Sequence, residues 1–321
     1  MASYCIPGGT GFIGSRLVAH LANRGHRITV PTRDPERARH LRIQPSVKIV
    51  RADVFAPGTL TSLLTGADAV VNLIGILNES GRDGRGFHRA HVELMEALIS
   101  ACANAGVSRL VQLSALNAGA PQASSHYLRS KGEAEALLRK SQLDWTILQP
   151  SVVFGPGDDF LNRFAGLVRL IPWAFTLPMP NTRFAPIHVD DLVSAITRVL
   201  DRPDMTHQTL QLCGAETFTL KEIVQMITDT LGLNRRIIGM SKGLSRVQAT
   251  WMDFLPGKPF STDNYRSMLL DSVGTEDGLQ RLGIKPRSLT ANLATTLAGA
   301  GMHTHSCSRS ASTPPATRWK P

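Results

Sequence analysis

A chain of 321 residues with 42% hydrophobic and 19% charged content can bury a full core, as one large domain or as a domain with a smaller appendage. No apolar run approaches the ~20 residues that a bilayer-spanning helix needs, which excludes an integral helical membrane protein. The net charge of +10 is scattered, apart from Arg309, Arg318 and Lys320 in an acid-free last stretch; it fits a phosphate-bearing cofactor or an anionic membrane surface, and we expect no nucleic-acid partner. Cys5, Cys102, Cys213 and Cys307 lie far apart without a C-x-x-C pair, so we expect reduced thiols and a cytoplasmic location. The first strand begins within a few residues of Met1, so we expect no leader peptide.

Tyr4-Cys5-Ile6 reads as a short strand, and Phe12, Ile13, Leu17, Val18 and Leu21 recur at helical spacing. Between them, Pro7-Gly8-Gly9-Thr10-Gly11-Phe12-Ile13-Gly14 reads both as G-x-G-x-x-G (Gly9, Gly11, Gly14) and as G-x-x-G-x-x-G (Gly8, Gly11, Gly14). Strand, glycine turn and helix are the context this motif demands. Residues without side chains let the backbone approach a pyrophosphate, whose charge then meets the free N–H groups and positive dipole end of the helix. We therefore expect dinucleotide binding.

The run Arg27 to Arg33 is the second strand, followed by a helix start with Asp34 at the N-cap and Pro35 at N1. Val47 to Val54 is a strand that ends at Asp53, and Leu60 to Leu64 lies on a short helix. Ala69 to Gly75 is an unbroken apolar run, hence a buried parallel strand, with Asn72 and Gly75 expected on the cofactor side. After a polar excursion a long helix runs from about Phe87 to Ala105, with Leu94, Leu98, Ile99 and Cys102 facing the sheet. The next strand, Leu110 to Ala115, carries Ser114 at its carboxyl end. Tyr127-Leu128-Arg129-Ser130-Lys131 then opens a helix. Positions i and i+4 share a helix face, so the ammonium is expected to pull the phenol down from its unperturbed ~10 toward the working range. Trp145 to Pro156 is a strand leading into Pro-x-x-x-x-Gly.

From Gly157 the alternation loosens. Asp158 to Phe164 looks like a capped helix, and Leu167 to Pro180 is almost uncharged: pocket wall for an apolar substrate, an exposed patch, or ordinary core. Phe184 to Leu192 is a strand-to-helix junction, Gln208 to Cys213 a late strand, and Thr219-Leu220-Lys221-Glu222 a capping box opening a helix to Leu231. Short helices follow around Leu244 to Phe254 and Tyr265 to Leu270. The tail is rich in Ser, Thr and Pro and is expected to be disordered; His303, His305 and Cys307 lack a fourth ligand, and we assign no metal. We expect a Rossmann-type α/β fold, a doubly wound parallel sheet over residues 1–156, with a smaller mixed lobe over 157–298 interleaved with the core and a disordered tail over 299–321.

Gly8 to Gly14, Val71-Asn72-Leu73, Leu113 to Asn117, Tyr127 to Lys131 and Pro150 to Gly155 together resemble the atypical and extended short-chain dehydrogenases, epimerase/dehydratase-like proteins typified by the nucleotide-binding accessory subunit of respiratory complex I. The resemblance covers about residues 3 to 200. It implies that Ser114 polarises a carbonyl, Tyr127 transfers the proton and Lys131 holds the nicotinamide ribose. It further implies that Asp53 and Val54 lie at the adenine, that Asn72, Leu73 and Gly75 line the cofactor, and that Pro150 and Val153 pass the nicotinamide by backbone. It assigns the acid of the junction at His188 to Leu192 as a helix cap. The family usually has Asn-Val where this chain has His91-Val92, which puts the proton relay in doubt. Aligning Gly25-His26 with the family's Gly-His leaves Thr32 and Arg33 where an NAD enzyme places its ribose-binding acid. A cation there favours NADP(H); the alternative is NAD(H), with Asp34 on the ribose. The implied function is an NADP(H)-dependent oxidoreductase; the apolar segment near Trp173, and not the resemblance, points to a small lipophilic carbonyl, alcohol or quinone-related substrate. The alternative is an accessory or assembly protein that holds NADPH without turnover and associates with a respiratory complex or membrane surface, peripheral to the inner membrane.

Overall fold

Apolar β-prone runs alternate with amphipathic stretches, and each needs a partner layer to bury its apolar side. The computed structural model describes residues 1–79, 81–171, 173–255 and 260–298. Its first half runs β1 (Ser3–Cys5), α1 (Phe12–Asn23), β2 (Arg27–Thr32), a 3-10 stretch (Pro35–Ile43), β3 (Val47–Arg51), α2 (Thr59–Leu64), β4 (Ala69–Asn72), α3 (Arg85–His88), a π turn (Arg89–Glu93), α4 (Leu94–Ala105), β5 (Arg109–Leu113), α5 (His126–Lys140) and β6 (Asp144–Pro150). The second half runs β7 (Val153–Phe154), α6 (Phe160–Leu170), β8 (Ala174–Leu177), β9 (Arg183–Phe184), β10 (Ile187–His188), α7 (Val189–Asp201), β11 (Gln208–Leu212), β12 (Phe218–Thr219), α8 (Leu220–Thr230), β13 (Arg236–Gly239), α9 (Lys242–Met252), α10 (Thr262–Ser267), α11 (Gly278–Arg281) and α12 (Leu289–Ala298). The expected disordered tail, with His303, His305 and Cys307, lies outside the described residues.

Among the described residues the central sheet has seven strands in the order β11-β6-β5-β4-β1-β2-β3, all paired in parallel. The chain builds outward through β2 and β3, then crosses back to β4 and builds the other way. That reversal beside β1 opens a crevice at the strands' carboxyl ends, the place where doubly wound sheets bind ligands. The sheet is the Rossmann-type α/β fold expected from the sequence.

Strand side chains alternate between the two faces. Tyr4, Ile6, Val71, Val111 and Leu148 pack with Leu17, Val18 and Leu21 of α1 and with Leu192, Ile196 and Val199 of α7. Cys5, Val70, Leu110 and Ile147 pack on the other side with Leu60 and Leu64 of α2, Leu94 and Leu98 of α4, and Leu138 of α5. The second half contributes to this framework, because β11 pairs with β6 from Gln208↔Thr146 to Leu212↔Pro150. A third cluster, including Phe154, Leu161, Phe175, Leu177, Phe184, Ile223 and Leu293, is built from the second half.

One expectation is corrected. The α7 cap is the His188 imidazole, whose Nδ1 accepts from the Asp190 N–H at 3.2 Å; burial holds that ring below its ordinary pKa and so keeps it an acceptor. The acids turn elsewhere, Asp190 to Arg16 at 3.3 Å and Asp191 to the backbone and guanidinium of Arg287 at 2.7 and 2.8 Å. The segment Leu167 to Pro180 divides: Val168, Phe175, Leu177 and Met179 are buried, whereas Leu170 and Trp173 are 79% and 84% exposed. Trp173 therefore stands in solvent.

Gly166 sits mid-helix in α6, and a Cβ there would meet nothing within 4 Å. Gly166→Ala is expected to stabilise the protein by roughly 0.5–1 kcal/mol, through lost unfolded-state freedom, read as a raised midpoint in urea unfolding.

Candidate active site

The glycine loop is shaped by steric demand that no other residue satisfies. Gly8 has φ +83°, and a Cβ on it would lie 2.8 Å from the Leu73 carbonyl carbon; on Gly14 it would lie 2.3 Å from the Gly8 oxygen, and on Gly9 2.9 Å from Val30 Cγ1. These contacts press the start of α1 onto the turn after β4, a seating closed by the Leu73 N–H bond to the Pro7 oxygen at 2.9 Å. Thr10, Phe12 and Ile13 are half-buried along the loop. The α1 N-terminus has Gly11 at its cap, no side-chain cap hydrogen bond and no acid in its first turn. A twelve-residue helix with such an end fits a pyrophosphate.

The flanking strand ends complete the crevice. Arg33 is exposed just past β2, while the Asp34 carboxylate accepts from the Glu36 N–H at 3.1 Å and so caps the 3-10 stretch. Asp53, beyond the end of β3, is exposed and accepts from the Phe55 N–H at 3.1 Å; Val54 is half-buried against the α2 side of the core. Asn72 is buried and spends its side chain inside the protein, donating to Gln112 Oε1 at 2.8 Å and accepting from the Ile74 N–H at 3.2 Å. It shapes the turn through Leu73 to Gly75 that the glycine loop rests on. Pro150 ends β6, its oxygen accepting from the Leu116 N–H at 3.1 Å, and Val153 is half-buried in β7. A Cβ on Gly155 would lie 3.6 Å from the Phe12 ring, so this segment meets the first turn of α1.

Ser114 follows β5 directly, its N–H held by the Leu148 oxygen at 2.7 Å. Its Oγ is buried without a hydrogen-bond partner among the described residues. A buried hydroxyl left unpaired is costly unless a ligand completes it. Lys131 is buried on α5 and donates from Nζ to the adjacent Leu113 oxygen at 3.0 Å; a Cβ on Gly75 would approach that Nζ to 3.2 Å. Burial lowers the Lys131 pKa to about 8. The same burial pushes the Tyr127 phenol up to about 12, so the expected lowering by the ammonium does not occur. Desolvation outweighs attraction here, with the ammonium turned to the Leu113 carbonyl.

His91 occupies the π turn, a wider helical turn often found at functional positions. Its Nε2 accepts from the Ile76 N–H at 3.4 Å, which leaves Nδ1 to donate to Ser130 Oγ at 2.8 Å; Ser130 in turn donates to the Tyr127 backbone carbonyl at 3.0 Å. Burial, and next the Lys131 charge, hold its pKa down to about 2. His91 is thus a neutral prop for α5, its ring 5.8 Å from that of Tyr127 in an edge contact.

Asp263 escaped sequence reasoning because it acts across the fold. From α10 its carboxylate accepts the His126 and Tyr127 N–H groups at 2.6 and 3.2 Å, capping α5 beside the Ser125 hydroxyl. The one local hint is the Ser261-x-x-Asn264 capping box that starts α10. A pocket of about 200 Å³ lies beside this junction, lined by Asn78, Arg82, Phe87, His126, Asp253 and Asp263 among others. Phe87 packs edge-on against Tyr127 with centroids 6.1 Å apart.

Residues 8–156 match the family model for NAD(P)H binding. The chain resembles the mitochondrial NADH dehydrogenase [ubiquinone] 1 alpha subcomplex subunit 9 of Rattus norvegicus, 29% identical over 88% of this chain and 76% of that one. It resembles the ceramide reductase of Caulobacter vibrioides at 29% identity over 73% of this chain and 72% of that one. Among solved structures, gox2253 superposes with a TM-score of 0.75 at 22% identity, covering 95% of this chain and 99% of that one. UDP-glucuronic acid 4-epimerase from Bacillus cereus superposes with a TM-score of 0.74 at 15% identity, covering 94% and 99%. These superpositions concern the fold.

Proposed function

We propose that this chain, whose residues 8–156 match the family model for NAD(P)H binding, is an NADP(H)-dependent oxidoreductase that interconverts a lipophilic carbonyl or quinone-related compound and its reduced form. The observation that supports the proposal is the Lys131 ammonium on the Leu113 carbonyl, next to Ser114, whose hydroxyl is buried and unpaired among the described residues, with Tyr127 one helical turn before Lys131 on α5. When bound, reduced nicotinamide supplies the hydride that the carbonyl carbon gains. Ser114 donates a hydrogen bond to the carbonyl oxygen and orients it. Tyr127, a protonated phenol at all working pH values with its pKa at about 12, gives that oxygen its proton as charge develops. Lys131 stays an ammonium below about pH 8 and favours the negative charge left on the phenolate. Ceramide reductase, by its name, acts on a lipid, which supports a lipophilic substrate for this chain too.

The sign of the pH dependence follows from Lys131. Its charged form is present below about 8 and is lost as pH rises through that value. For the free enzyme, kcat/KM for NADPH is expected to fall about tenfold per pH unit above that point, and in Lys131→Arg the limb should leave the accessible range. A wild-type profile flat to about 10, the ordinary lysine range, contradicts this role.

Arg33 stands exposed past β2, and the competing acid, Asp34, is already engaged as a cap. NADPH is expected to bind about tenfold to a hundredfold more tightly than NADH, a preference that Arg33→Ala removes. Equal affinities, or a preference that survives the substitution, reject NADP(H). We further propose a cytoplasmic location peripheral to the inner membrane; no described helix is long and apolar enough to cross one.

A second reading rests on the alpha subcomplex subunit 9 relatives, which match over most of the chain, and on His91 where the resembled dehydrogenases have Asn. In it the protein holds NADPH as a structural ligand in a respiratory assembly, stabilised by mass action. NADPH that raises Tm but is never oxidised, with respiratory subunits co-purifying, would favour it.

A further inference from the structure

Gln112 is a polar residue in an otherwise apolar stretch of β5. It lies between Val111 and Leu113 and is 3% exposed, at a place where Val or Leu would bring no amide to desolvate. A buried amide is tolerated when it is hydrogen-bonded, and its partners show what it holds. Asn72, the last residue of β4, stands opposite Gln112 in register, and the pairing of the two strands ends there. Beyond that pair, backbone groups are met by side chains. The Ile74 N–H donates to Asn72 Oδ1 at 3.2 Å, Asn72 Nδ2 donates to Gln112 Oε1 at 2.8 Å, and Gln112 Nε2 donates to the Leu113 carbonyl at 2.9 Å. An N–H at one end can only donate and a carbonyl at the other can only accept, so a single orientation of both amides fits.

This chain of bonds joins two parts of the site. Lys131 Nζ donates to the same Leu113 oxygen at 3.0 Å, the single hydrogen bond its ammonium makes among the described residues. A lysine stem is flexible, so the position of that acceptor decides where the charge sits. The Leu113 carbonyl belongs to a planar peptide unit whose other edge, the Ser114 N–H, is held by the Leu148 oxygen at 2.7 Å. Gln112 holds the carbonyl edge. At the far end of the chain, the turn containing Ile74 receives the glycine loop: the Leu73 N–H bonds the Pro7 oxygen at 2.9 Å, and a Cβ on Gly8 would lie 2.9 Å from the Ile74 nitrogen.

We propose that Gln112 is a positioning residue for Lys131, fixing with Asn72 the Leu113 carbonyl that holds the ammonium and tying it to the turn beneath the glycine loop. What Lys131 then does to the reaction rests on the oxidoreductase reading; the tie itself does not.

The test is a double-mutant cycle in the full chain, read as kcat/KM for NADPH with a long-chain ketone. Gln112→Met keeps the length of the side chain and removes its amide, and Lys131→Met removes the ammonium. In the wild-type background Gln112→Met is expected to lower kcat/KM by about tenfold. In the Lys131→Met background the same substitution should cost less than about twofold, because the group it positions is gone. Its cost in urea unfolding should persist in both backgrounds, since the bonds to Asn72 and Leu113 are lost in each. The wild-type rise in Tm with NADPH shows that a variant folds; should Gln112→Met not fold, Gln112→Asn, too short to meet both partners, repeats the cycle. An equal loss of kcat/KM in the two backgrounds makes Gln112 merely structural and overturns the proposal, as does no loss in the wild-type background. If no ketone is reduced, the oxidoreductase reading fails, and the same cycle is decided on the NADPH Kd by the same outcomes.

Discussion

Tyr127→Phe is expected to lower kcat by about a hundredfold to ten-thousandfold while NADPH affinity stays within about twofold of the wild type. The substitution deletes one oxygen and leaves the ring's edge contacts with Phe87 and His91 in place, so the N-terminus of α5 keeps its geometry. The Asp263 and Ser125 caps engage backbone N–H groups, which Phe retains. What disappears is the proton donor, worth about 3–5 kcal/mol of the barrier at that rate loss. Asp263→Ala supplies the contrast. It removes a cap worth about 1 kcal/mol and loosens α5, so both kcat and stability should fall modestly together. Unchanged turnover in Tyr127→Phe would remove the phenol from the mechanism.

Gly14→Ala is expected to abolish NADPH binding and to destabilise the fold by about 1–3 kcal/mol. The added Cβ would lie 2.3 Å from the Gly8 oxygen and 2.6 Å from the Gly9 Cα. Both are backbone atoms in the loop that receives the pyrophosphate, so neither can swing aside as a side chain would. Gly11→Ala separates the steric effect from the ligand effect. Its Cβ would meet only the Gly8 oxygen at 3.4 Å, and its φ of −77° suits any residue. That variant should keep wild-type urea stability and still bind NADPH more weakly, because its methyl group stands at the uncapped helix end. Isothermal titration and urea unfolding of the pair decide between the two causes.

The framework of the fold was legible because it rests on local signals. Glycines at Gly8, Gly11 and Gly14 between an apolar run and a 3.6-residue period can form little else, and the capping box at Thr219 and Glu222 formed as its spacing required. The Ser114 position at a strand end and the Tyr127–Lys131 spacing on one helix were legible for the same reason. What pattern could not supply was the balance of energies in the folded site. A sequence shows an ammonium four residues from a phenol; only packing shows that Lys131 is buried and turns to the Leu113 carbonyl, and that desolvation raises the phenol instead. Asn72 was legible as a strand-end residue but not as a side chain spent on Gln112, one strand away. Long-range partners such as Asp263 on α5 carry no sequence period at all. The same limit explains Trp173: an apolar segment announces burial or contact, and its exposure depends on a backbone turn with φ +70°.

The central claim is hydride transfer to a lipophilic carbonyl through Ser114, Tyr127 and Lys131. Its most direct test follows the fluorescence of NADPH bound to the purified protein while long-chain ketones, aldehydes and quinones are added in single turnover. The account predicts that the bound NADPH signal decays with at least one of these compounds, that the decay is lost in Tyr127→Phe, and that it slows as pH rises through about 8. NADPH that stays bound and reduced across the whole panel contradicts it and leaves the nucleotide as a structural ligand.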